Sequence, residues 1–375
     1  MPVADFSSAT FIPSHRRQSS KNPATMLAAV YRGEGHIAAE EIPTPEIGRG
    51  EMLVRVETCG ICHTDLKKVQ YNLLSPPRIY GHEIAGIVAA VGEGVTSYSA
   101  GDRVIVFHHV PCGDCFYCHR RLHAQCPVYK RVGVTAGFEP AGGGFAQYVR
   151  AMNWIVKRGV ERIPDSVSFD QACWVEPVNT CLKGVRMLNL EPDDLVAILG
   201  QGPIGLIFTM LVKRTGAAVV ASDTIPHRLA LSSTLGATAE DPRTPLFEEA
   251  LKSGTSGRGA DAVIVATAAK GLVDQALKIS RPGAKILLFA QTSAAERIEI
   301  SGADICVGER VLFGSYSADV DLQAESARLV FSGELQLERL ISHRVPLQRI
   351  EEGIHTALHP SEQSLKVVVR PQEGA

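Results

Sequence analysis

Residues 195–212 read LVAILGQGPIGLIFTMLV. Length alone would allow a membrane span, but spanning takes about 20 uninterrupted apolar residues, and Gly200, Gln201, Gly202, Pro203 and Gly205 break this run. It divides instead into a strand, Leu195–Leu199, a tight turn, and an apolar helix opening at Pro203. The turn holds Gly200-x-Gly202-x-x-Gly205. At a strand-to-helix junction such glycines let the backbone approach a pyrophosphate, while the helix N-terminus presents amides and a positive dipole end. Asp223 closes the next β-like run, about 20 residues on, where a carboxylate accepts hydrogen bonds from an adenosine ribose and repels a 2′-phosphate. Gly200, Gly202, Pro203, Ile204, Gly205 and Asp223 are therefore candidate cofactor-binding residues, and the acidic one favours NAD over NADP.

Downstream, strands and helices alternate: Pro203–Thr215, Ala218–Ser222, Arg228–Leu235, Ala262–Ala266, Gly271–Ser280 and Lys285–Phe289. That texture predicts a parallel sheet with helices on both faces. Upstream, from Leu27 to about Val175, short β-like runs such as Met52–Glu57, Ile84–Val91 and Arg103–Phe107 are broken by glycine and proline, which predicts a barrel-like, mostly β unit. After Tyr316 come two amphipathic helical stretches, Leu322–Phe331 and Leu347–Leu358, and a closing strand, Leu365–Val369. Their apolar stripes are expected to pack back on the first unit or on the junction.

The 375 residues suffice for two cores, and 45% apolar with 21% charged content is that of an ordinary globular protein. A formal net charge of -2 leaves no electrostatic footprint for nucleic acid or an anionic membrane. Met1–Thr25 has no apolar stretch of signal-peptide length. Arg16, Arg17 and the serines there carry a faint transit-peptide texture, which a disordered tail or a mis-assigned start explains as well. Nine clustered cysteines point to metal rather than disulfides, to a reducing compartment, and so to the cytoplasm.

Four of those cysteines form Cys112-x-x-Cys115-x-x-Cys118-x7-Cys126. Four thiolates fill every position of a tetrahedral zinc ion, so this set is structural rather than catalytic. A nucleic-acid-binding zinc ribbon would want basic surroundings, which the net charge does not supply. A second constellation lies in Cys59-Gly60-Ile61-Cys62-His63-Thr64-Asp65, Gly81-His82-Glu83 and Val175-Glu176-Pro177. One thiolate, one imidazole and one carboxylate make the three-ligand set of a catalytic zinc, with the fourth place open to water or a substrate oxygen. Taken singly, His82 reads as a core histidine, Glu176 as a surface charge and Cys62 as an apolar filler.

In this order, GICHTD, GHE, PCGDCFYCHRRLHAQC, VEPVNT and GQGPIG, the sequence resembles the zinc-containing medium-chain dehydrogenase/reductase family, over nearly all of Met26–Pro371. The resemblance implies a GroES-like catalytic domain in two parts with a Rossmann cofactor domain, a doubly wound parallel sheet, inserted between them. The division expected is 1–25 as an N-terminal extension, 26–177 as the first catalytic part, 178–316 as the Rossmann domain and 317–375 as the second catalytic part. It further implies Cys62 and His82 as catalytic zinc ligands, Thr64 as the residue passing the substrate proton outward, and Asp65 as support for the ligand shell. By the same resemblance Thr180 touches the nicotinamide and Arg228 lies near the adenosine ribose. For the third ligand Glu83 and Glu176 compete, and a glutamate before Pro177 shifts the expected substrate toward polyols. Where many relatives carry a histidine that ends the proton relay, this chain has Lys67 followed by Lys68.

The expected activity is a zinc-dependent, NAD-linked oxidation of an alcohol or polyol, or its reverse, with two Zn2+ per chain. A zinc-free quinone or enoyl double-bond reductase of the same fold should lack the Cys62, His82 and four-cysteine sets. A non-catalytic nucleotide-binding protein should not keep Cys62, Thr64, His82, Glu176 and Asp223 together. No nucleic-acid or membrane partner is expected, and the resemblance implies a homotetramer, with a dimer second. The loop Gly133–Gly144 with Phe107, Phe138 and Tyr316 is expected to shape the substrate pocket.

Overall fold

A computed structural model describes residues 22–129, 131, 133–139, 142–290 and 297–374. Residues 1–21 of the expected extension, and positions 140 and 141 of the expected pocket loop, lie outside the described residues.

Leu195–Leu199 is buried along its whole length, as a strand covered by helices on both faces must be. It sits inside a six-stranded sheet with Ala218–Ser222, Thr238–Glu240, Ala260–Val265, Ser280–Leu288 and Val311–Gly314, and every pairing is parallel. Numbered along the chain, these six strands lie in the order third, second, first, fourth, fifth, sixth. The order reverses between Leu195–Leu199 and Ala260–Val265, and ligands of such sheets bind in the crevice beyond the strand ends at that reversal. Val196 and Ile198 face one helical layer with Phe208, while Ala197 and Leu199 face the other with Phe247 and Leu251.

The remaining strands pair mostly antiparallel. One sheet runs Ile341–Pro346, Lys366–Arg370, Met52–Gly60, Glu83–Val91, Arg103–Phe107, Val160–Arg162, with Tyr148–Ala151 also paired to Met52–Gly60 and Val134–Thr135 paired to Tyr148–Ala151. Irregular registers at Leu53/Val54 and Val56/Thr58 bend the Met52–Gly60 strand, as bulges do. The chain end enters this sheet through Val368 opposite Gly60 and Val369 opposite Cys59. Leu347, Ile350 and Ile354 share a core with Met26, Val30 and Val54. Ala327 and Val330 join the junction core, so both closing helices pack back as their stripes require.

The Val175–Leu188 helix belongs to both units. It buries Val178, Cys181, Leu182 and Val185 with Ala85 and Ile105 of the β-rich sheet and with Val196, Phe208 and Leu287 of the parallel one. The helix runs unbroken through position 177, where the sequence suggested a division. The Leu246–Gly254 helix, the Thr238–Glu240 strand and the Val311–Gly314 strand were not expected; each is short, and none has a long apolar period. Among the described residues no helix is long and apolar enough to cross a membrane.

Candidate active site

Cys62 is the N-cap of the His63–Gln70 helix, so the turn that starts the helix also aims the thiol. Asp65, at the third helical position and fully buried, accepts a hydrogen bond from the Cys62 amide at 3.2 Å. Its other oxygen lies 3.1 Å from His82 Nδ1 and 3.4 Å from the Gly81 amide. One carboxylate thus sets both Cys62 and His82. With Nδ1 donating to Asp65, the imidazole keeps Nε2 as its free donor atom for a metal. Burial opposes ionisation of Asp65, but His82, Lys68 and the Cys62 amide together hold its carboxyl below the usual range.

The ligand atoms of Cys62, His82 and Glu83 all lie within 4.8 Å of one another. Glu83 also grips Lys366, whose Nζ stands 2.6 Å from Oε1 and 2.5 Å from Oε2. Lys366 enters from the last strand of the chain and lies 5.4 Å from the centre of the buried Trp174 ring. Gly60 makes room for this pair: a Cβ there would fall 1.7 Å from Glu83 Oε2 and 2.8 Å from Lys366 Cε. The other contender, Glu176, lies in the first turn of the Val175–Leu188 helix. Burial pushes its carboxyl up to about 7, against the pull of His82. Glu83 therefore stands inside the ligand cluster already neutralised by a cation, and Glu176 stands outside that cluster, close enough to interact with His82, Glu83 and Lys366.

The four-cysteine lobe is a separate centre. Sγ–Sγ distances are 3.9 Å for Cys112–Cys118, 3.5 Å for Cys115–Cys118 and 3.6 Å for Cys112–Cys126. A tetrahedron of thiolates about 2.3 Å from zinc has edges of about 3.8 Å, so the donor set fits that ion and is far too open for disulfides. Amides of Cys112 and Gly113 point at Cys126 Sγ and Cys118 Sγ, at 3.5 and 3.3 Å. Against the penalty of burial, the Cys118 and Tyr117 amides help bring the Cys115 thiol down to about 7.

At the parallel sheet's reversal, Gly200 has φ +96 and Gly205 packs so tightly that a Cβ would meet the Gly200 carbonyl oxygen at 1.9 Å. Gly202 caps the Pro203–Lys213 helix, and a Cβ there would meet only the Arg228 guanidinium, at 3.9 Å. Open space over a helix N-terminus suits a pyrophosphate. Asp223 follows the second strand; its oxygens accept from the Gln201 amide at 2.7 Å and the Ile225 amide at 3.0 Å. Arg228 Nη1 is 3.8 Å from Asp223 Oδ2 and its Nη2 donates to the Ser364 carbonyl at 3.3 Å. Pro203 and Ile204 form the first turn of the helix.

Thr64 lies in the helix begun by Cys62, and Thr180 on the Val175–Leu188 helix donates to the Pro177 carbonyl at 2.8 Å. Phe107 is buried opposite Glu83 in the sheet, Phe138 is half-buried against the first core, and Tyr316 is exposed. Lys67 is half-buried in the last turn of the Cys62 helix. The sequence reading passed over Lys366, Gly60 and Asn179. A lysine inside the apolar run LKVVVR was the available signal for the first, since a strand buried on both faces rarely carries an unpaired charge.

Two family models match the chain, the alcohol dehydrogenase GroES-like domain over residues 48–164 and the zinc-binding dehydrogenase over residues 203–331. Sorbitol dehydrogenase of Bacillus subtilis (strain 168) is 29% identical over 356 residues, 93% of this chain and 98% of that protein. D-altritol 5-dehydrogenase of Agrobacterium fabrum is 31% identical over 342 residues, 87% of this chain and 94% of that protein. A solved protein of Sinorhizobium meliloti 1021, described as a zinc-binding dehydrogenase and bound to NADP, superposes with a TM-score of 0.84 at 29% identity, covering 93% of this chain and 100% of that one.

Proposed function

Because the chain belongs to the zinc-containing medium-chain dehydrogenase/reductase family, we propose that it moves a hydride between the CH–OH group of an alcohol or polyol and NAD. The observation that carries the reading is the Cys62, His82 and Glu83 cluster beside Glu176, together with a glycine turn at the sheet reversal. The polyol preference rests on the relatives named for sorbitol and D-altritol.

Cys62 and His82 hold the catalytic zinc, with Glu83 or Glu176 as the carboxylate. Glu83 is the better placed, and Glu176 the less encumbered, since Lys366 already claims Glu83. When bound, the metal supplies Lewis acidity that makes a hydroxyl acidic near neutral pH. Asp65 orients both ligands, and Thr64 takes the hydroxyl proton and passes it outward. Thr180 bears on the nicotinamide, while Asp223 and Arg228 take the adenosine ribose, Asp223 favouring NAD over NADP. Gly200, Gly202, Pro203, Ile204 and Gly205 cradle the pyrophosphate. Cys112, Cys115, Cys118 and Cys126 hold the second, structural zinc. The protein's part is to fix the two reactants and exclude water, since the hydride chemistry belongs to the cofactor.

We take the limits 26–177, 178–316 and 317–375 for the two catalytic parts and the cofactor domain. The working unit is a homo-oligomer in the cytoplasm, a tetramer with a dimer as the second reading. The edge strand Val311–Gly314 supports self-association, with Val311 50% and nearby Val307 82% exposed. The decisive experiment measures zinc per chain and nicotinamide reduction across a panel of alcohols, polyols and amino alcohols with NAD and NADP. Activity is expected to require zinc and to vanish in Cys62→Ser with the fold retained. Full activity in zinc-free protein would refute the reading.

A further inference from the structure

Between the Val311–Gly314 strand and the Gln323–Phe331 helix the chain crosses back to the β-rich unit. Four consecutive residues of that crossing, Tyr316 to Asp319, are tied on two sides. The four-cysteine lobe holds one side. His123 Nδ1 meets Asp319 Oδ1 at 3.0 Å, and the Tyr129 hydroxyl lies 3.0 Å from Ser317 Oγ and donates to the Ala318 carbonyl at 3.3 Å. His123 sits between Cys118 and Cys126 in the chain, and Tyr129 packs directly on those two cysteines.

The Val175–Leu188 helix holds the other side. Asn179 accepts from the Asp319 amide at 2.7 Å and donates to the Asp319 carbonyl at 3.0 Å and to Ser326 Oγ at 3.2 Å. Lys183 Nζ donates to the Tyr316 carbonyl at 2.9 Å. Asn179 is fully buried, precedes Thr180, and lies one helical turn from Glu176. A buried amide with its partners in place fixes one arrangement, because any shift leaves polar groups unpaired.

We propose that Asp319 is a positioning residue for the dehydrogenase reaction: gripped by His123 of the four-cysteine lobe, it anchors the helix that carries Glu176 and Thr180. The assignment rests on the reading of that helix as one wall of the active site. Asp319 touches no reacting group; its influence passes through Asn179. A metal held by Cys112, Cys115, Cys118 and Cys126 would fix the loop that carries His123. A misplacement of about 1 Å at a reacting centre can cost as much as 100-fold in rate, so a loosened anchor is expected to register in turnover before it registers in folding.

The test compares His123→Ala, Asp319→Ala, the double variant and His123→Asn, whose amide nitrogen occupies the place of Nδ1. Each is measured for zinc per chain, thermal midpoint, kcat and KM, and for Kd of NADH and of ADP-ribose, which lacks the nicotinamide. Both single alanine variants should keep two zinc ions and lose about 10-fold in kcat. The double variant should lose no more than the worse single, and His123→Asn should recover most of the loss. NADH should bind more weakly while ADP-ribose binding stays unchanged, a split that a general loss of structure does not produce. Unchanged kcat and NADH affinity in both alanine variants would overturn the assignment, as would multiplicative losses in the double variant or losses that track zinc release. A wild-type chain inactive on every alcohol would defeat the functional reading instead, and the NADH against ADP-ribose comparison would still decide the role of Asp319.

Discussion

Replacing Lys366 by methionine removes one half of a buried ion pair and keeps the packing volume. Lys366 Nζ lies 2.6 and 2.5 Å from the two Glu83 oxygens, and the two side chains are 8% and 2% exposed. At that separation the attraction is about 6 kcal/mol for an effective dielectric constant of about 20. Most of it offsets the desolvation of the two groups, so the pair itself stabilises little. The single substitution, however, strands a buried carboxylate, which costs about 3–5 kcal/mol. Lys366→Met should therefore lose about 3–5 kcal/mol at pH 7. Adding Glu83→Gln should restore most of the loss. The assay is urea unfolding of protein dialysed against a mild chelator, so that catalytic-site metal does not replace the missing cation. A Lys366→Met variant within about 0.5 kcal/mol of the parent at pH 7, or a double variant no more stable than Lys366→Met, would refute the reasoning.

Asp65→Asn keeps the shape of the residue but weakens its hold on Cys62 and His82; affinity for the catalytic metal should fall about 10- to 100-fold in a chelator competition, with the four-cysteine metal retained. Asp223→Ser should narrow the ratio of kcat/KM for NAD over NADP, and a parent enzyme that already prefers NADP would contradict the role given to the carboxylate. Burial opposes ionisation of Asp170, but Arg370 and Arg344 outweigh it and hold its carboxyl below the ordinary 3.8. The stability it contributes is thus present above about pH 4 and lost as pH falls through the lowered value. Thermal midpoints of the parent and Asp170→Asn should differ at pH 7 and converge below pH 4.

Sequence reading and structure meet where a local rule dominates. Leu195–Leu199, the glycine turn and Asp223 obey one backbone requirement each, and the four cysteines sit on one short loop, so spacing alone brings them together. The candidate metal cluster is different. Cys62, His82 and Glu83 are gathered by strand pairing between Met52–Gly60 and Glu83–Val91; ligand chemistry and the family resemblance named them as candidates, but no local spacing brings Cys62 to the other two. Lys366 could not be placed at all from its neighbours, since it arrives from almost 300 residues away through the pairing of the last strand. Asn179 is invisible for the same reason: its partners lie on a crossing segment 140 residues downstream. The Leu246–Gly254 helix escaped because its buried contribution is only Phe247 and Leu251, too sparse for a period to emerge.

The contact between Asp65 and His82 also offers a spectroscopic handle. An imidazole proton held 3.1 Å donor-to-acceptor against a buried carboxylate, on a ring only 6% exposed, exchanges slowly with water. It should resonate far downfield of the amide envelope, in a region shared with the His123 proton held against Asp319 at 3.0 Å, from which Asp319→Ala separates it. Because the opposite nitrogen of the same ring is the one offered to the metal, that single line should move when the catalytic centre is loaded and stay still when only the cysteine lobe is filled. Occupancy of the two centres could then be counted separately on intact protein, with no substrate in hand.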